Sequence, residues 1–328
     1  KLFFRKARYF LFLSLIPCVF FSCTNEKIVS EADKTTGKEK PNIVIIFFDD
    51  AGWADFKPFH ETRYPTPNIE QLAQEGCSYQ NFYVPQAICS ASRSALMTGC
   101  YPGRTKVFGA FAPKIRGLDP GFATMGEVLK TNGYRTAIFG KWHLGHGKEN
   151  FLPVNHGFDT FVGHTGGCID YYGLSYGNID DWYHGTQKVE QKGYATEIIA
   201  NEATHWIRQN KNNPFFLYVP FNAPHYAKGW DEEKQAFTNI LQAPPKVIEK
   251  FNWIEDEKRR TYAAMVYMLD QAVGKILSTL DTAGLAEDTL VLFISDNGAD
   301  PNYGGSNRPF TGVKATYYEG GIRVPCLM

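Results

Sequence analysis

The stretch Pro41–Asp55, PNIVIIFFDDAGWAD, decides the fold. From Asn42 to Phe48 it is rich in Ile, Val and Phe, and it stops at Asp49-Asp50. A strand with one face in water alternates apolar and polar residues; a strand covered on both faces does not. Three more runs of strand length read the same way. Tyr134–Phe139 ends in Gly140, Lys141, Trp142 and His143; Phe215–Val219 ends in PFNAPH, with His225; Thr289–Ser295 ends in Asp296-Asn297-Gly298. Helical stretches are predicted between them, at Ile69–Glu75, Met125–Thr131, Ala195–Gln209 and Asp256–Leu280, the last with an apolar stripe of Ala263, Val266, Leu269 and Val273. The alternation predicts an α/β fold with a large, mostly parallel central sheet flanked by helices. Ligands of such sheets bind at the carboxyl ends of the strands, where these polar clusters fall.

Asp49, Asp50, Asp296 and Asn297 supply three carboxylates and an amide oxygen, a set that suits Ca²⁺ or Mg²⁺ better than Zn²⁺. Either pair alone also reads as a strand-end turn. Lys141, His143, His225, Lys314 and Arg93 add cationic or switchable groups, which together favour a tetrahedral oxyanion beside the cation. The segment ICSASRSALMTG, Ile88–Gly99, puts Cys89 one helical turn before Arg93. Residues four apart share a helix face, and a thiol at a helix N-terminus beside a cation suits a nucleophile or an anion site. Taken alone, a buried Cys with a surface Arg is the more ordinary reading of it.

Composition sets the bounds. The chain has 328 residues, 44% hydrophobic and 15% aromatic, enough for a sizeable core. Lys+Arg and Asp+Glu both number 34, so the overall charge does not point to nucleic acid. Residues 1–22 read as an export signal, with Lys1, Arg5, Lys6 and Arg8 before the apolar run Tyr9–Phe21. Ser22-Cys23 resembles the end of a lipoprotein cleavage motif, which makes Cys23 a candidate for lipidation; plain signal cleavage is the alternative. Residues 23–40 read as a polar tether. The expectation is therefore use of the secretion machinery and residence in the periplasm or cell envelope, with a membrane lipid anchor as a candidate. Cys77, Cys89, Cys100, Cys168 and Cys326 make neither a disulfide framework nor a metal motif, and nothing favours a Cys100–Cys168 bridge.

These residues carry a resemblance. PNIVIIFFDDAGWAD, CSASRSALMTG, GYRTAIFGKWHLG, GFDTFVGH, NAPH, ISDNGAD and KATYYEGGIRVP resemble, in order, the blocks of type I, formylglycine-dependent sulfatases, which have the alkaline-phosphatase-like fold. The likeness runs from about Pro41 to Met328. Ala91 stands where Pro is commoner, which bears on which maturase acts. The resemblance implies a catalytic domain over 41–328 and hydrolysis of a sulfate ester. Cys89 would be oxidised by a formylglycine-generating maturase. The small residues around it would help that enzyme bind the unfolded segment. The implied metal set is Asp49, Asp50, Cys89, Asp296 and Asn297, with Ca²⁺ the usual ion. Arg93 would hold the hydrated aldehyde, Lys141 and Lys314 the sulfate oxygens; His143 would be the base and His225 the leaving-group donor, two roles that can exchange. The family's smaller C-terminal subdomain is expected beyond EGGIRVP, so the domain reads as truncated there.

Within Gly163–His184, Tyr171, Tyr172, Trp182 and His184 are candidates for lining a sugar subsite, with packing of a surface loop as the alternative. A sulfated carbohydrate, such as a glycosaminoglycan, mucin or algal glycan, is the expected substrate. The rivals are a phosphate or phosphonate monoester hydrolase of the same superfamily and a non-catalytic glycan-binding relative. The first shares the fold and sometimes the nucleophile motif, but the additional Asp and His ligands of the superfamily's two-zinc phosphatases find no place here; the second predicts lost ligands, and none is lost.

Overall fold

The computed structural model describes residues 40–113 and 116–328. The signal segment and all of the tether but Lys40 lie outside the described residues. The strands, in chain order, are β1 (Asn42–Phe48), β2 (Arg135–Lys141), β3 (Thr160–His164), β4 (Ser175–Tyr176), β5 (Ile179–Asp180), β6 (Tyr183–His184), β7 (Gln187–Lys188), β8 (Phe215–Pro220), β9 (Ala227–Asp231), β10 (Ala236–Ile240), β11 (Thr289–Ser295) and β12 (Cys326–Leu327). Eight of them form one sheet in the order β12-β11-β1-β8-β2-β3-β6-β7. The run from β11 to β3 is parallel, while β12, β6 and β7 add antiparallel edges. The mostly parallel α/β sheet expected from the apolar runs is therefore present.

Strand β1 explains the absence of polar alternation. Val44, Ile46 and Phe48 enter the core on one face, with helices Pro67–Glu75, Ala195–Asn210 and Glu257–Thr282. Ile45 and Phe47 enter the core on the other, with helix Cys89–Thr98 and, half-buried, Met125 and Leu129 of helix Met125–Thr131. Both faces are dry, so both sets of side chains are apolar. The long helix begins where the Asp256 side chain accepts from Arg259 N–H at 2.6 Å, an N-cap. Among the described residues no helix is long and apolar enough to cross a membrane.

One detail differs from the sequence reading. Residues 163–184 are not one surface loop: they contain β4, β5 and β6. Cys100 and Cys168 are unbridged, as are Cys77, Cys89 and Cys326.

Candidate active site

Strands β1 and β11 pair in parallel register from Asn42↔Thr289 to Phe48↔Ser295. Asp49-Asp50 and Asp296-Asn297 therefore leave neighbouring strands at one level. The Asp50 N–H donates to Asp296 Oδ1 at 3.1 Å, and Asn297 Nδ2 donates to Asp50 Oδ1 at 2.7 Å. Asp50 itself has φ 60°, a left-handed conformation that costs a non-glycine residue about 1–3 kcal/mol. Behind Asn297, a Cβ on Gly298 would sit 1.8 Å from the Gly320 carbonyl oxygen, so backbone packs on backbone there.

Cys89 opens the helix Cys89–Thr98, and Arg93 follows on the same face. Both are buried. The Arg93 guanidinium donates to the Lys141 carbonyl at 3.2 Å and to Asp296 Oδ2 at 3.1 Å, lies 3.6 Å from Asp49 Oδ2, and covers the Phe47 ring at 5.2 Å. The small residues between have a packing reason, because Ser90, Ala91 and Ser92 are buried too. Ser90 Oγ accepts from the Phe111 N–H at 2.9 Å.

Lys141, the last residue of β2, donates from a fully buried position to the Asp49 carboxylate and to the Gly167 carbonyl. Lys314 donates to Asp50 Oδ2 at 2.6 Å and to His225 Nε2 at 3.2 Å. Its loop is tied to the segment before Cys89, since the Ala315 N–H donates to the Ala87 carbonyl at 2.9 Å. His225 Nδ1 is 2.8 Å from the Tyr226 carbonyl, which can only accept, so Nδ1 carries the proton and Nε2 faces Lys314. By the same argument His143 Nε2 donates to the Phe111 carbonyl at 3.1 Å, and its Nδ1 lone pair is buried without a partner.

The electrostatics follow from crowding. Burial would raise the Asp49 carboxyl, but Lys141, His225 and Arg93 outweigh it and hold it well below the usual carboxylate range. Burial and the neighbouring Asp49 push Asp296 well above that range. His225 is drawn down to about 4 by burial and Lys314, and burial with Lys141 keeps His143 neutral. Burial pushes the Cys89 thiol up to about 11.

A divalent cation fits this donor set. Asp49 Oδ1 and Asn297 Oδ1 are buried acceptors without a hydrogen-bond donor. Leaving such atoms unpaired is costly, and a hard cation supplies the missing partner. Asp49, Asp50, Cys89 and His225 each offer an atom, all within 4.8 Å of one another.

The sugar-subsite candidates divide. Tyr172 is exposed, and His184 reaches Gln191 Oε1 at 3.2 Å on the surface. Tyr171 and Trp182 are buried and line no open wall. Their polar tips are satisfied inside the protein: Tyr171 OH accepts from Asn222 Nδ2 at 3.0 Å and donates to the His225 carbonyl at 2.9 Å, and Trp182 Nε1 donates to Gln191 Oε1 at 2.8 Å. The sequence reading gave no role to Phe111 and Gly167, which act through backbone carbonyls, or to Asn222, which lies inside the NAPH block and acts through its side-chain amide on Tyr171.

A helix-borne cysteine and arginine beside buried lysines and a set of oxygen donors, at the carboxyl ends of a mostly parallel α/β sheet, define a class. The profile of the Sulfatase family matches residues 41–328, so this chain belongs to the sulfatase family. It is similar to arylsulfatase J of Mus musculus, 34% identical over 306 residues, covering 88% of this chain and 48% of that protein. It is also similar to N-acetylgalactosamine-6-sulfatase of Homo sapiens, 35% identical over 318 residues, covering 88% and 56%. The crystal structure of Ps i-CgsB superposes with a TM-score of 0.80 at 34% identity, over 88% of this chain and 65% of that one. The chain thus spans about half the length of the curated relatives it matches. The phosphonate monoester hydrolase of Agrobacterium radiobacter shares the fold, with a TM-score of 0.58 at 18% identity over 88% and 68% of the two chains.

Proposed function

We propose that the full protein hydrolyses a sulfate ester on a carbohydrate, with residue 89 as nucleophile after Cys89 is oxidised to formylglycine. The observation that carries this reading is the meeting of Cys89, Arg93, Lys141 and Lys314 with Asp49, Asp50, Asp296 and Asn297. Relatives support the substrate class: one is named for N-acetylgalactosamine 6-sulfate chemistry, and Ps i-CgsB has been crystallised with k-i-k-neocarrahexaose.

Asp49, Asp50, Asp296 and Asn297 would hold Ca²⁺, or Mg²⁺ as the alternative, joined by an oxygen of modified residue 89, and the cation would polarise a sulfate oxygen. As a hydrated aldehyde, residue 89 offers one hydroxyl to attack sulfur and a second whose deprotonation drives C–O cleavage and sulfate release. Arg93 orients residue 89 while neutralising Asp49 and Asp296. Lys141 and Lys314 turn from the carboxylates they now bridge towards the sulfate oxygens, where negative charge spreads in the transition state. His143, fixed through Nε2–H on Phe111, keeps its Nδ1 lone pair for the departing hydroxyl proton. The His225–Lys314 pair, 3.2 Å apart, shares the proton that the leaving alcohol oxygen needs.

Full-length protein produced with a competent maturase should hydrolyse 4-nitrophenyl sulfate and a sulfated oligosaccharide, and phosphate and phosphonate monoesters far more slowly. Cys89→Ala should lose essentially all turnover, and Lys314→Ala about 10²–10³-fold in kcat. Full turnover by protein whose residue 89 is, by peptide mass, an unmodified thiol overturns the mechanism. We also infer export to the periplasm or cell envelope, with anchoring through Cys23. Cys23→Ala should then leave the membrane fraction, and unchanged partitioning refutes the anchor.

A further inference from the structure

The chain that leaves His225 runs directly into the β9–β10 hairpin. Side chains alternate along a strand, so Tyr226, Lys228 and Trp230 point to one side and Ala227 and Gly229 to the other. The second side is closed: Ala227 is buried, and a Cβ on Gly229 would lie 2.4 Å from Ile240 Cδ1. Across the hairpin, Asn239 pairs with Lys228 and Phe237 with Trp230, which puts both on the first side; there the β4–β5 turn meets the bases of two of these side chains, since a Cβ on Gly177 would lie 3.7 Å from Lys228 Cγ and from Phe237 Cγ.

That side is continuous with the candidate active site. The His225 and Tyr226 rings are 4.0 Å apart, and Tyr226 packs on Tyr303 at 4.4 Å. Asn239 Nδ2 donates to Tyr303 OH at 2.9 Å. Lys228 forms no ion pair among the described residues, and its hydrogen bond to Asn239 Oδ1 is long, at 3.5 Å. Further out, Trp230 and Phe237 stand edge to face at 5.3 Å and remain 43% and 38% exposed. The tip beyond them is braced, because Asp231 accepts from the backbone N–H groups of Glu233 and Lys234 and from the Thr238 hydroxyl. From Tyr226 to Trp230 this face extends about 13 Å at strand rise.

We propose that this face is a track for sugar units beyond the one being desulfated. A pyranose ring stacks on Trp230 and Phe237, and a sulfate or carboxylate substituent pairs with Lys228. An exposed aromatic pair gives a sugar ring an apolar platform, and an unpaired cation beside it selects an anionic chain. The proposal rests on the sulfated-carbohydrate reading above and adds that the substrate is an oligomer.

The test uses full-length, maturase-treated protein. It compares kcat/KM on 4-nitrophenyl sulfate with kcat/KM on sulfated disaccharides and hexasaccharides prepared from carrageenan and from chondroitin sulfate. The expected result is a preference for a hexasaccharide of one series over its disaccharide. Trp230→Ala, Phe237→Ala and Lys228→Gln should each cut the ratio of hexasaccharide to aryl sulfate kcat/KM about tenfold, mostly through KM. A ratio unchanged in all three variants, or no chain-length preference in either series, overturns the track. Absence of turnover on every sulfate ester overturns the hydrolase reading instead. In that case affinity electrophoresis of the protein in gels containing each polysaccharide decides the track separately, by whether Trp230→Ala abolishes retardation.

Discussion

Asp55 holds together more of the site's surroundings than any residue that the motifs single out. Its carboxylate accepts from Tyr64 OH at 3.0 Å, Tyr262 OH at 2.8 Å, the Gly52 N–H at 2.8 Å, the Ser306 N–H at 3.0 Å and Arg259 Nη1 at 2.6 Å. Tyr262 OH also donates to the Asp50 carbonyl at 3.1 Å, so this cluster fixes the turn that carries the acidic pair. Asp55→Ala should destabilise the protein by about 3–5 kcal/mol, because it leaves the largely buried Arg259 charge and several donors without an acceptor. Urea unfolding of both proteins checks this. A loss below about 1 kcal/mol would mean that water replaces the carboxylate. At this scale the sequence was legible where chemistry dictates residue type: the acidic strand ends, the two lysines, Cys89 with Arg93. It left Tyr171 and Trp182 undecided, since an aromatic in a polar segment reads the same whether its ring faces a sugar or packs inward. Asp55, within the quoted opening stretch, showed no sign of its five donors, because four of them lie outside its own turn or arrive from far along the chain.

Elements were legible in proportion to their length and burial. The four apolar runs emerged as β1, β2, β8 and β11, and the predicted helices lie within a few residues of the observed ones. Strand β3, TFVGH, is short and ends in Gly-His, while β4 to β7 have two residues each and carry no period to detect. One side chain between β5 and β6 anchors this region to the segment that follows β3. Asp181 accepts from Thr165 Oγ1 at 2.6 Å and from the Gly166 N–H at 2.7 Å, next to the Gly167 carbonyl that meets Lys141. Burial pushes its carboxyl up to about 6 despite those donors. The raised value means that folding favours the protonated acid. The contribution is fully present below about pH 4, the unfolded value, and is lost as pH rises through about 6. It amounts to roughly 2–3 kcal/mol. Asp181→Asn should therefore flatten the part of the stability curve between pH 4 and 7 that the wild type loses, as read by urea unfolding at each pH. Equal slopes in the two proteins would refute the assignment. Helix Cys89–Thr98 is constrained in another way: Ala91 is fully enclosed, so Ala91→Leu should cost about 1–3 kcal/mol by overpacking, seen as a lower melting temperature.

For the molecule as a whole, the site is a seam between distant parts of the chain. Asp49 and Asp50 end a central strand, and Asp296 and Asn297 end its neighbour, so an ion held between them ties β1 to β11. Ca²⁺ at a hundred times its dissociation constant should stabilise the fold by about 2.7 kcal/mol, visible as a raised melting temperature that Asp296→Ala removes. A calcium-induced rise that survives in Asp296→Ala would place the ion elsewhere. The same seam sets a clock on biosynthesis. Arg93 and its carboxylate partner Asp296 are 203 residues apart in the chain. A ribosome adding about 5–20 residues each second needs roughly 10–40 s to cover that distance. Until β11 has been made, β1 lacks a neighbour on one side and the pocket around Cys89 has no wall there. If Cys89 is oxidised as proposed, the cysteine that ends up 3% exposed would stay within reach of the maturase for roughly 10–40 s, an interval set by the topology of the sheet.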